Sequence, residues 1–280
     1  MKNNYKKHNA CFRCIRLKKL AGGFTTPRNI VVAPFSYVSF ELCMKLMENG
    51  QEVIGIEPSL PYLDKREREE KELYLGRNAN WSLCPLEEFP LRSEEESVIY
   101  VCHVNPGWSA IHDFLLELKE NSSKIVYITH ATQKPFMNVT DWSKSNVWIH
   151  LPSMYGSWQP ESSFFERSLT DRSFPFEEYE REDRRDVLYI DDAVDAIMEV
   201  ARLEGGAYQL RSGVENHWDE VLKEFGYSIL YDNISVSQYR EYIVCEQVHY
   251  ADARIKPEQG VEMLRRHRES MEKRSLFYRK

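Results

Sequence analysis

From residue 28 to residue 151 the chain changes repeatedly between two hydrophobic periods. Short unbroken apolar runs begin near Asn29, Val53, Ser97, Lys124 and Val147, and each spans four to eight residues, as strands buried on both faces do. Between them apolar residues recur at three- and four-residue steps. Phe40, Cys43, Met44 and Met47 form one such stripe, closed by Asn49-Gly50, and Ile111, Phe114, Leu115 and Leu118 form another. Residues 64–75 are dense in Lys, Arg and Glu at i,i+4 spacing, which predicts a solvated helix face. Residues 81–89 are poorly patterned and hold a short third strand. Strands alternating with helices predict an α/β fold built on a doubly wound parallel sheet.

The second half is less regular. Residues 186–190 lead into Asp191-Asp192, expected as a helix N-cap, with Ala193, Ile197, Val200 and Ala201 as the buried stripe behind it. A strand is expected at 207–210, a helix from Trp218 to Phe225 closed by Gly226, and a last helix from Pro257 towards Lys273. The predicted organisation is a basic N-terminal extension (1–28), a Rossmann-type domain (29–151) and a small mixed C-terminal lobe (152–280) with elements returning to the sheet.

The first unit carries the chemistry. Strand, turn, helix, strand and a terminal acid, Glu57, is the order of a dinucleotide-binding βαβ unit. Three glycines in such a turn allow a tight bend, close approach to pyrophosphate and close helix–strand packing. Here those places fall on Ala33, Ser36 and Ser39, and Pro34 removes a donor N–H. Taken alone, the turn fits a parallel βαβ unit with no nucleotide to hold better than a cofactor site. If a cofactor binds, Ala33, Ser36, Tyr37, Val38, Glu57 and His103 are the residues expected around it.

Net charge is −7, and residues 1–28 hold eight Lys/Arg and no acid. Setting those eight positive charges apart leaves −15 on the remainder, which argues against nucleic acid as a partner. No apolar run approaches the roughly 20 residues of a membrane span, and the six cysteines are scattered as in a reducing compartment. A cytoplasmic protein is expected. Cys11 and Cys14, with His8 upstream, make half of a zinc site, but no second pair follows at suitable spacing, so a basic arm is the expectation.

Several segments together resemble the extended short-chain dehydrogenases/reductases, the family of NAD-dependent nucleotide-sugar epimerases and dehydratases. Residues 48–57 are similar to its second strand and ribose-binding acid, and 125–129 to the strand preceding its catalytic Ser/Thr. Residues 150–156 resemble its Arg-Leu-Pro-Asn-Val-Tyr-Gly segment, and 186–194 its Phe-Val-Tyr-Val-Asp-Asp segment. The resemblance implies NAD or NADP as cofactor and a nucleotide or nucleotide-sugar as ligand. The family's chemistry needs a tyrosine with a lysine four residues on, and no tyrosine of this chain is followed by lysine at that interval. The remnant is Thr140 with Lys144, and the family's Ser/Thr would fall at Ala131 or Thr132 according to register, with a hydroxyl retained only at Thr132. An aliphatic hydroxyl is far too weak an acid to replace a phenol. The expectation is a catalytically degenerate member with cofactor binding weakened or lost, acting as a weak nucleotide binder or a protein scaffold. The alternative is an active epimerase or reductase using Thr132, His130 or Lys144.

Overall fold

The computed structural model describes residues 28–58, 63–89, 97–103, 114, 123–132, 145–170, 183–227 and 247–277. The basic arm with Cys11 and Cys14, most of the stripe around Phe114, the His103 side chain, Thr140 and Lys144 lie outside the described residues.

Eight parallel strands form one sheet in the order β10-β9-β6-β5-β4-β1-β2-β3. They are β1 (Arg28–Val32), β2 (Val53–Glu57), β3 (Trp81–Pro85), β4 (Ser97–His103), β5 (Lys124–His130), β6 (Val147–Leu151), β9 (Gly206–Arg211) and β10 (Gln247–Tyr250). β7 (Ser153–Tyr155) and β8 (Val187–Tyr189) pair separately, also in parallel. The winding reverses between β1 and β4, the place where open α/β sheets leave a crevice at the carboxyl ends of their strands. The predicted Rossmann-type sheet is therefore the observed one.

The helices are α1 (Tyr37–Glu48), α2 (Lys65–Leu75), α3 (Phe164–Thr170), α4 (Ile190–Val200), α5 (His217–Glu224) and α6 (Pro257–Phe277). α1 buries Val38, Leu42, Cys43 and Leu46 against the sheet and packs on α4. α2 starts where the Asp64 carboxylate accepts the N–H groups of Arg66 and Glu67. It is ion-paired along its surface as expected, through Lys65–Glu69, Arg66–Glu70 and Arg68–Glu72. Lys71 departs from that expectation. It is fully buried, because its ammonium reaches the Phe35 carbonyl and the Glu67 carboxylate.

The Asp191-Asp192 cap is also corrected. Tyr189 occupies the N-cap position and the helix starts at Ile190, so both acids lie in its first turn. Asp192 instead accepts the Ile255 N–H, 63 residues away, and so ties α4 to the segment entering α6. α6 lies close over β7 and β8 through Gly260, whose added Cβ would sit 2.5 Å from the Tyr155 hydroxyl and 2.9 Å from Tyr189 Cδ2. No helix among the described residues is long and apolar enough to cross a membrane.

Candidate functional site

The turn after β1 keeps its bend without glycine. Ala33 has φ 51°, a left-handed conformation that costs an L-residue roughly 1–2 kcal/mol. It is held there by two hydrogen bonds. The Ala33 N–H donates to the Ile56 carbonyl at 2.9 Å, and the Ser36 N–H donates to the Ala33 carbonyl at 3.0 Å. Ser36 stands at the N-cap of α1, but its hydroxyl makes no capping bond. The Ser39 hydroxyl donates back to the Val32 carbonyl at 3.3 Å.

Every residue from Ala33 to Ser39 is buried. The Phe35 ring meets Trp81 edge-on at 6.4 Å, and the Arg68 guanidinium lies 5.1 Å from its centroid. Its carbonyl is bonded at 2.9 Å by Lys71. The Lys71 ammonium, with its pKa lowered by burial, lies 5.4 Å from the Phe40 ring and 5.6 Å from the Trp158 ring. Glu57, the acid at the end of β2, is engaged by Arg68 Nε at 3.0 Å, and Arg68 also reaches Glu72. Trp158 packs between Phe40, Tyr74 and His267.

At the carboxyl end of β5 two of the sequence candidates meet. The Thr132 hydroxyl lies 2.7 Å from His130 Nδ1, and the Thr132 N–H donates to the same nitrogen at 3.3 Å. Nδ1 is thus an acceptor and the ring is neutral. Burial drives the His130 pKa down to about 4, against an upward pull from Asp183. Asp183 itself is buried and receives Arg185 Nε at 2.8 Å and Nη2 at 3.0 Å, with Arg211 Nη1 at 3.7 Å. Its N–H donates to the Ser153 hydroxyl at 2.7 Å. The ends of β5, β6 and β9 are therefore lined by a polar group that the sequence reading did not assemble. Its only signal was the pairing of Asp183-Arg184-Arg185 with an arginine closing a strand at Arg211.

Wherever a tyrosine's ionisation shifts (Tyr37, Tyr100, Tyr127, Tyr155 and Tyr189), burial moves it upward. A proton-relay phenol needs the opposite shift. Below this crevice, His150 sits fully buried between Thr129 of β5 and Gln209 of β9, and neither ring nitrogen has a hydrogen-bond partner. Its pKa is lowered to about 4 by burial. Replacing it, as in His150→Leu, is expected to stabilise the protein by about 1–2 kcal/mol at pH 7. The gain grows at pH 5, because the unfolded chain takes a proton below pH 6.5 that the folded ring refuses until about 4. Urea unfolding at both pH values checks this, and equal gains would contradict it.

No protein-family model matches the chain, and no curated protein does. Solved structures do. UDP-glucuronic acid 4-epimerase from Bacillus cereus, in complex with NAD, superimposes with a TM-score of 0.59 at 13% identity, covering 87% of this chain and 99% of that one. dTDP-glucose 4,6-dehydratase from Bacillus anthracis, in complex with NAD, gives 0.55 at 11% identity, covering 88% and 97%. An NAD-dependent NDP-hexosamine 5,6-dehydratase of tunicamycin biosynthesis gives 0.53 at 12%, covering 88% and 98%. The chain thus has, over nearly its whole length, the fold of the NAD-dependent sugar-nucleotide epimerases and dehydratases.

Proposed function

We propose that this chain is a non-catalytic relative of those epimerases and dehydratases, one that has filled its dinucleotide cradle with its own side chains and serves as a binding or scaffolding protein. The observation that carries the reading is the burial of the whole turn from Ala33 to Ser39. A pyrophosphate needs exposed backbone N–H groups at the start of α1, approached without intervening carbon. Ala33 and Ser36 each place a Cβ there, Pro34 lacks the N–H, and the acid suited to a ribose, Glu57, is held by Arg68. The residues present do not fit NAD or NADP. Weak recognition of a nucleotide or nucleotide-sugar would fall to the outer crevice, where Arg185 and Arg211 converge on Asp183. Free, buried Cys43, Cys84 and Cys102 support a reducing, cytoplasmic setting.

One observation favours the rival reading of an active enzyme with an unusual site: the contact between Thr132 and His130. A base with a pKa of about 4 removes a hydroxyl proton poorly at pH 7, so the contact is better read as closing the turn after β5. Calorimetry with NAD and with NADP is expected to give no binding tighter than about 1 mM, an affinity worth only about 4 kcal/mol. Near-stoichiometric dinucleotide released from gently purified protein, detected by mass spectrometry, would refute the proposal and promote the rival.

A further inference from the structure

Between the last turns of α1 and α2 lies a cavity of about 340 Å³. Met44 and Met47 of α1, Tyr74 of α2 and Ala79 beyond it form its apolar lining, and the exposed Glu48 and Arg77 border it. Two thioethers beside a phenol ring suit an aromatic guest. The charges around it are unbalanced. Lys45, the cation in the last turn of α1, is held by Asp195 at 2.9 Å. Arg77 lies over the Tyr74 ring at 5.9 Å and makes no ion pair with Glu48. The Glu48 carboxylate and the negative, carbonyl end of α1 therefore face the cavity mouth without a cation of their own. The far end of α6 arrives at the same place. His267 meets the Trp158 ring at 4.8 Å, and seven residues on the Arg274 guanidinium lies 5.5 Å from the Tyr74 ring. Trp158 and Tyr74 are in edge contact at 5.5 Å, so α6 runs from one ring to the other and towards the end of α2.

We propose that this cavity is a socket for the chain's own residues 278–280, Tyr-Arg-Lys, which lie outside the described residues and directly follow α6. Positions 267, 274 and 278 fall on one helical stripe, and the step from Arg274 to Tyr278 is one turn, about 6 Å. That step carries the stripe from Tyr74 into the cavity that Tyr74 lines. The Tyr278 ring fills the space against Met44 and Met47, and Arg279 and Lys280 supply the charge that Glu48 and the end of α1 lack. The chain's own segment is favoured over a second copy or an outside peptide because α6 already touches the wall at Arg274. A segment tethered so closely is present at millimolar effective concentration or above, which a free competitor has to exceed. The consequence is mechanical. α6 begins against Tyr155 and Tyr189 at Gly260, so seating its far end fastens β7 and β8 to the α1–α2 side of the sheet, with α6 as the strap.

Methyl NMR of the full chain labelled at its methionines tests this, with Met44 and Met47 assigned from Met44→Leu and Met47→Leu. Tyr278→Ser is expected to move both signals, through loss of the ring's field, and to leave those of the buried Met154 and Met198 in place. A second measurement fixes the geometry. In a background with Cys11, Cys14 and Cys245 replaced by serine, and with the buried Cys43, Cys84 and Cys102 kept, Ala79→Cys and Tyr278→Cys are introduced together. Mild oxidation is expected to join them within one chain roughly tenfold or more faster than the control pair Val214→Cys and Tyr278→Cys, Val214 being exposed beyond the opposite end of β9. Met44 and Met47 signals indifferent to Tyr278→Ser would overturn the proposal, and their movement by Phe24→Ser instead would give the cavity to the N-terminal arm. Equal cross-linking of the two pairs, or a link between chains instead of within one, would overturn it as well.

Discussion

Replacing Glu41 with glutamine is expected to raise the unfolding free energy at pH 8 by about 2–4 kcal/mol and to leave it unchanged at pH 4. Glu41 lies half-buried on α1. Burial, and then Asp191, push its carboxyl up to about 8, while Lys71 pulls the other way. Below the ordinary value of 4.5 the acid is protonated in both folded and unfolded chains, and the group contributes nothing. As pH rises from there, the unfolded chain releases the proton and the folded one retains it. Stability therefore falls until about pH 8 and is level above. The full shift is worth about 5 kcal/mol, which partial exposure reduces. Glutamine mimics the protonated acid and removes the pH dependence. Urea titrations from pH 4 to pH 9 compare the two proteins, and parallel curves would show that the buried carboxyl is not the cause.

Gly156→Ala is expected to cost about 2–4 kcal/mol, combining strain and overlap. Gly156 has φ 146°, and an added Cβ would stand 2.5 Å from Ile190 Cγ2 and 3.2 Å from Tyr189 Cε2. Ile190 is wholly buried at the start of α4 and has nowhere to move. Gly226 supplies the control. It has φ 87° with no atom within 4 Å of its added Cβ, so Gly226→Ala carries the conformational strain alone, about 1 kcal/mol. Equal losses at the two positions in thermal or urea unfolding would show that the Ile190 contact is not what demands glycine.

The sheet was legible in the sequence because parallel strands covered on both faces are unbroken apolar runs, as in β5 and β6. β3 was harder to see. It is the outer strand beyond β2, and only Cys84 of its five residues is buried, so no unbroken apolar run marks it. β10 was missed for a related reason: four residues, three of them exposed, give no hydrophobic signal. At the turn, loss of the glycines could be read directly, but the survival of the bend at Ala33 could not, because it depends on the Ile56 carbonyl. Lys71 was read as a solvated cation, since nothing local announces a carbonyl partner 36 residues away. The same holds for Asp192, an apparent cap engaged by distant backbone. The meeting of Asp183 with Arg185 and Arg211 is likewise a product of topology, which brings the ends of β6 and β9 together.

The Phe35 ring between Trp81 and Arg68 has a thermodynamic corollary. In an enzyme that depends on a diffusible cofactor, part of the resistance to unfolding comes from mass action and rises and falls with cofactor supply. If, as proposed, side chains such as Phe35 take the cofactor's place, they are joined to the backbone by covalent bonds and cannot be diluted, washed out or outcompeted. On the reading proposed here, the melting temperature of this fold has been uncoupled from the cell's dinucleotide pool.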